Sequence, residues 1–208
     1  MALITPTPPP ACAKAFSAGL PMFLYGAPGV VTKKYLGSPP QIPTPSQVGV
    51  EQRSEQVFLL SLNEAAYHTG SINPPSAGWR FFAGNQQNET VLGRMIQVPP
   101  SQTWKLISVF YGESVYQALR ASLHLGALAQ VAQENYELRM LAVPGLNLEA
   151  YWLVAQKAGT PDLVIPYPEG SNQLIKVLSG GPYKMVTFLA LIRPLAAGLL
   201  TMSARSGA

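Results

Sequence analysis

Residues 104–129 read WKLISVFYGESVYQALRASLHLGALA, and the change of period inside this stretch decides the fold class. From Trp104 to Tyr111 the chain alternates, with Trp104, Leu106, Ser108 and Phe110 on one face and Ile107, Val109 and Tyr111 on the other. A period of two is the mark of a strand, and two apolar faces predict a central one. From Val115 the period lengthens. Val115, Leu119, Ser122, Leu123 and Gly126 make one stripe, while Gln117, Arg120 and His124 make the opposite one, so a helix is predicted over Val115 to Ala129. Ser114-Val115-Tyr116-Gln117 has the form of a capping box, whose hydroxyl and amide would satisfy donors at the helix start.

Working outward, short strands are predicted at Gln56 to Leu62, Trp79 to Ala83 and Thr90 to Val98 before this stretch. After it, Tyr136 to Val143 and Leu148 to Gln156 form a hairpin turned by Pro144-Gly145, and Asp162 to Ile165 adds a further strand closed by Pro166 and Pro168. Gly180-Gly181-Pro182 opens a last helix, Pro182 to Ile192, which Arg193-Pro194 should end. The expected fold is α+β, with six to seven short, mainly antiparallel strands in one or two sheets and two covering helices. Leu106, Phe110, Leu119, Leu138, Trp152 and Val164 are the expected core, and Tyr151 and Trp152, as strand neighbours, need cover on both faces.

Residues 1–47 are rich in proline, with Pro8-Pro9-Pro10 and Pro39-Pro40 as the densest clusters, and read as an extended arm ahead of a single domain over 48–208. The arm is too apolar for a solvated linker. Phe16, Leu20, Phe23, Tyr25 and Tyr35 are its candidate partner-binding residues, because large apolar side chains on an extended strap need a surface to lie on. Only 12% of the 208 residues are charged while 48% are hydrophobic, which also favours a chain that contacts another protein.

The same inventory narrows the chemistry. The net charge of +4 is spread over fourteen scattered lysines and arginines, so no nucleic-acid footprint is expected. Asp162 is the only aspartate, which removes mechanisms built on paired aspartates, and Cys12 is the only cysteine, which excludes an intramolecular disulfide and a cysteine-based zinc site. No cofactor and no metal are expected. Gly26 to Lys34 resembles the start of a nucleotide-binding phosphate loop, but Val31, Thr32 and Lys33 stand where glycine, lysine and a hydroxyl are required. Ser114 lacks the second glycine of a nucleophile elbow, since Tyr116 occupies it. Cys12 with His68 or His124 would need a rigid site inside the arm, and Glu113 and Glu149 are the carboxylates a pocket enzyme would use. Met1 to Pro6 lack the basic and apolar regions of an export signal, so a cytoplasmic location is expected. Met185 to Leu200, broken by Thr187, Arg193, Pro194 and Gly198, reads as core with no membrane span.

The expected function is therefore a non-enzymatic structural or adaptor subunit, a homo-oligomer or a protein's partner, that associates in part through its arm. A small hydrolase-like enzyme using glutamate or histidine is the alternative from a second class, and a small-molecule binder using the aromatics is a third. A pocket holding Glu113, Glu149 or His124 would favour the enzyme, and an aromatic pocket the binder.

Overall fold

The computed structural model describes residues 3–25, 51–70, 72–84, 90–128, 130–166 and 181–206. Its strands are β1 (Leu3–Ile4), β2 (Glu51–Leu59), β3 (Ser76–Ala83), β4 (Val91–Val98), β5 (Thr103–Tyr111), β6 (Tyr136–Val143), β7 (Leu148–Ala155), β8 (Leu163–Pro166) and β9 (Tyr183–Lys184). The helices are α1 (Pro10–Tyr25), α2 (Leu62–Tyr67), α3 (Glu113–His124) and α4 (Met185–Ser206). The fold is α+β, as its alternating and helical segments predict. The sheet is larger than expected and mixed: nine strands in the order β5-β4-β3-β2-β6-β7-β8-β9, with β1 parallel beside β6. β1 and β9 are two-residue strands without an alternating pattern to announce them. The chain divides into two compact units. One holds Met1–Ile4, Val57–Ser76 and Ala129–Ala208, and the other Thr5–Gln56 and Ala77–Leu128; the expected boundary after residue 47 lies outside the described residues.

In the second of these units, β3 sets the layers. Trp79, Phe81 and Ala83 join a cluster with Cys12, Phe16 and Leu20 of α1, while Arg80 and Phe82 face the other way. The arm is thus not extended throughout. Cys12, Phe16 and Leu20 recur at four-residue spacing, which stacks them on one face of α1, and Phe16 lies on Phe81 with ring centroids 4.7 Å apart. Pro10 takes the first helical position, where its missing N–H costs nothing. Pro21 sits inside the helix on its exposed side, and the burial of Leu20 next to it offsets the lost hydrogen bond. Gly93 on β4 lets α1 approach this closely, since a Cβ there would stand 2.5 Å from Phe16 Cε2 and 3.0 Å from Leu106 Cδ1.

Among the described residues β5 is an edge strand, paired only with β4, and not central as its two apolar faces suggest. A bulge between Arg94 and Met95 explains the pattern. Met95 pairs with Leu106 and Arg94 with Ser108, so Ile107 is the additional residue and is exposed. The bulge inverts the alternation. Trp104, Leu106, Val109 and Tyr111 all pack with the α1 cluster, and Phe110 moves to the opposite face, where the Arg94 guanidinium lies 5.1 Å from its ring. Leu106 and Phe110 are accordingly only partly buried, while Leu119, Leu138, Trp152 and Val164 are core. α3 begins two residues earlier than the capping box requires. Gly112 is its cap, Ser114 makes no capping bond, and Glu113 instead accepts a hydrogen bond from Gln117 Nε2 at 2.5 Å.

In the first unit, β6 and β7 form the expected hairpin in register from Tyr136 opposite Ala155 to Val143 opposite Leu148. Trp152 belongs to the cluster that takes in Phe188, Leu189, Ile192 and Ala196 of α4, so the last helix is the cover it needed. Tyr151 is buried on the other face. Phe58 meets Trp152 edge-on at 5.4 Å, and the Arg139 guanidinium lies 4.8 Å from the Phe58 ring and 5.1 Å from the Trp152 ring. Residues 61 and 62 end no strand. Ser61 and Glu64 form the true capping box of α2: Glu64 N–H donates to Ser61 Oγ at 3.2 Å, and Ser61 N–H donates to Glu64 Oε2 at 3.0 Å. α4 does not stop at Arg193-Pro194. It continues through Pro194, which is exposed, for 22 residues in all.

Phe16→Ala should remove about 3–5 kcal/mol of stability, because it empties the contact that α1 makes with Phe81. Chemical denaturation measures this, and a loss under about 0.5 kcal/mol would place α1 outside the folded unit.

Candidate functional site

Two polar constellations stand out, one in each unit. In the second unit, Glu55 of β2 is 0% exposed, and its carboxylate takes three partners. Oε2 accepts from Arg80 Nε, Oε1 accepts from Ser122 Oγ on α3, and Arg53 Nε lies 3.5 Å from Oε1. The Arg80 guanidinium also lies 5.4 Å from the ring of Phe82. β2 brings Arg53 and Glu55 to one face because they are two residues apart, and β3 turns Arg80 toward it because Trp79 and Phe81 are claimed by α1. A carboxylate bonded to a serine hydroxyl is a pair able to move a proton. Ser122 and Glu55 are both 0% exposed, however, so no substrate reaches them, and the arrangement ties α3 to the sheet.

In the first unit, a cleft of about 470 Å³ is lined by Thr69, Ile72, Pro161, Asp162, Lys184 and Met185 among others. Its walls are tied to α4. Met185 N–H donates to the Asp162 carbonyl at 3.0 Å, and Arg193 Nη2 donates to the His68 carbonyl at 2.9 Å. The Asp162 carboxylate is held from behind, accepting from Trp152 Nε1 and from Ala155 N–H, both at 2.9 Å. The chain's only aspartate is thus a brace.

The residues singled out from the sequence are largely dispersed. Glu113 is exposed in the second unit, and Glu149 is half-buried on β7 in the first, opposite Ala142. His124 is exposed, with Nδ1 2.8 Å from the Arg120 carbonyl of its own helix, and His68 is the exposed C-cap of α2. Cys12 is a buried thiol in the α1 cluster. None of these lines the cleft, and no large aromatic side chain does. Among the described residues, no group of three or more histidine, cysteine, aspartate or glutamate side chains could hold a metal. Of the partner-binding candidates, Phe16 and Leu20 are spent on their own core and Phe23 is half-buried, because the segment that carries them is a helix and not a strap. Tyr25 closes α1. Tyr35 and the phosphate-loop-like segment lie outside the described residues. Sequence reasoning missed Glu55, Arg80 and Ser122. The available signal was Arg80 itself, a charge flanked by Trp79, Phe81 and Phe82 in an otherwise apolar strand.

Removing one partner of a buried ion pair leaves the other uncompensated, so Arg80→Met should destabilise by about 3–5 kcal/mol. The double variant Glu55→Leu/Arg80→Met should cost far less than the sum of the single changes, and additive costs in denaturant titrations would contradict the pairing. At α2, hydrogen bonds from the Ser61 side chain and then its backbone hold the Glu64 carboxyl below its ordinary pKa. A lowered folded pKa stabilises above the unfolded value, and that contribution is lost as pH falls through the folded value. Ser61→Ala should therefore cost about 1 kcal/mol at neutral pH, and the gap to the parent should narrow on acidification in melts recorded across pH.

No family model, curated protein or solved structure matches the chain.

Proposed function

We propose that the chain is a non-enzymatic structural or adaptor subunit that associates with itself or with a partner protein, and that α4 carries the association. The observation behind this is the outer side of that helix. Phe188, Leu189, Ile192 and Ala196 are buried in their own core, yet the helix runs on for ten residues, and Leu195, Leu199 and Met202 are exposed at 38%, 39% and 68%. Those three residues recur at i, i+4 and i+7, so they form one ridge. A ridge of this kind on a chain with few charges is the pattern of a surface covered in use. The arm's expected role passes to α4, because Phe16 and Leu20 are already committed to their own chain. The polar side chains favour a non-enzymatic reading, since the best-placed carboxylates, Glu55 and Asp162, are bound to internal donors.

A bilayer is the second reading. Met185–Ser203 is long and apolar enough to cross a membrane by length and composition, with mean hydropathy 1.8. The four residues that α4 buries weigh against it, since insertion would strip cover from Trp152 and Val164.

The test is Leu195→Glu combined with Leu199→Glu, followed by sedimentation velocity and thermal melting. The parent should sediment faster than a monomer, and the variant should sediment as a monomer with its melt retained. A parent that stays monomeric without detergent would contradict the proposal, and co-flotation of that monomer with lipid vesicles would establish the second reading in its place.

A further inference from the structure

The cleft of the first unit has a construction that the association of α4 does not explain. Four hydrogen bonds hold its walls: Arg193 fixes the segment after α2, Met185 fixes Asp162 to the start of α4, and Trp152 and Ala155 fix Asp162 to β7. An arginine in the middle of an apolar helix and the only aspartate in the chain are both used to hold this shape. Its volume of about 470 Å³ falls within the size range of small-ligand sites.

The lining is mostly apolar, with Ile72, Pro161, Met185 and Val186 around a few polar groups. Asp162 directs its two oxygens to Trp152 and Ala155, away from a role as an acceptor for a ligand. Lys184 is the contrasting group. It is exposed on β9, where it pairs in register with Leu163, and among the described residues no carboxylate pairs with it. The hydroxyl of Thr69 is the other polar side chain on the lining. One ammonium and one hydroxyl beside an apolar wall complement a single small anion that carries a hydrophobic body.

We infer that this cleft binds a small amphiphilic carboxylate, with its carboxylate on Lys184 and its alkyl or aryl part against Ile72, Pro161 and Met185. The inference is independent of the proposed association, because the ridge Leu195, Leu199 and Met202 takes no part in the lining.

Two-dimensional NMR of the full chain, titrated with benzoate, tests it. The indole N–H of Trp152, bonded to a cleft residue, and the amide of Gly70 should shift and saturate together. Lys184→Ala should weaken that binding about tenfold while Lys184→Arg retains most of it, as expected for loss of a charge-assisted hydrogen bond. Lys184 is exposed, so both variants should fold as the parent does. Shifts that fail to saturate, binding unchanged in Lys184→Ala, or inorganic phosphate binding as tightly as benzoate would each overturn the assignment, the last because it would show that the apolar wall takes no part.

Discussion

The carboxylate of Glu55 is the constraint on which the second unit depends. A buried anion has to be met by donors from every side it faces, and here they come from β3, α3 and β2's own Arg53. Once Arg80 is drawn to Glu55, the period of two places Trp79, Phe81 and Ala83 on the opposite face. That face is where α1 packs. The strand is therefore polar on one side through a single residue and aromatic on the other, and a one-residue slip would bury Arg80 against Phe16 while turning Phe81 toward Ser122. The ion pair and the stacked phenylalanines specify the same register from two sides.

Much of the first unit is legible from local pattern. Tyr136 to Val143 alternates cleanly, Pro144-Gly145 marks the turn, and the hairpin forms with those bounds at its first strand. Trp152 and Val164 sit on the apolar sides of their strands and are buried as that placement requires. The misread elements share a cause, which is that tertiary contact outweighed a local rule. Ile107 is an ordinary strand residue in isolation, and only its pairing with β4 makes it a bulge that moves Val109 and Tyr111 across the sheet. Pro21 and Pro194 would each break an isolated helix, but both are on exposed sides of helices whose neighbouring residues are buried. The Cys12, Phe16 and Leu20 spacing was present in the sequence but overshadowed by the prolines around it. The capping box that forms is that of Ser61 and Glu64, and the expected one at Ser114 does not, because α3 starts two residues early with Gly112 as its cap.

The polar clusters were less accessible. Glu55 meets Arg80 across 25 residues and Ser122 across 67, distances that no periodicity reports. Arg80 is a charge among aromatics, a signal the sequence reading passed over, and nothing local selects its partner from nine glutamates. Asp162 is the converse case. Its solitude suggested little chemistry, and the structure gives it a physical role as the acceptor for Trp152 and Ala155.

These findings bear on function through what is spent and what is left over. Glu55, Arg80 and Ser122 are consumed in internal contacts of the second unit and Asp162 in those of the first, and Cys12 is sealed in a core. Among the exposed large apolar side chains of the described residues, four lie on α4: Val186, Leu195, Leu199 and Met202. The proposed subunit role follows from that division, and the mass of the protein purified intact from its native source, taken by native mass spectrometry, tests it most directly. The account predicts a species heavier than the 22.3 kDa chain, either a multiple of it or a sum with a second protein. A mass of 22.3 kDa alone, unchanged as concentration rises, would contradict it.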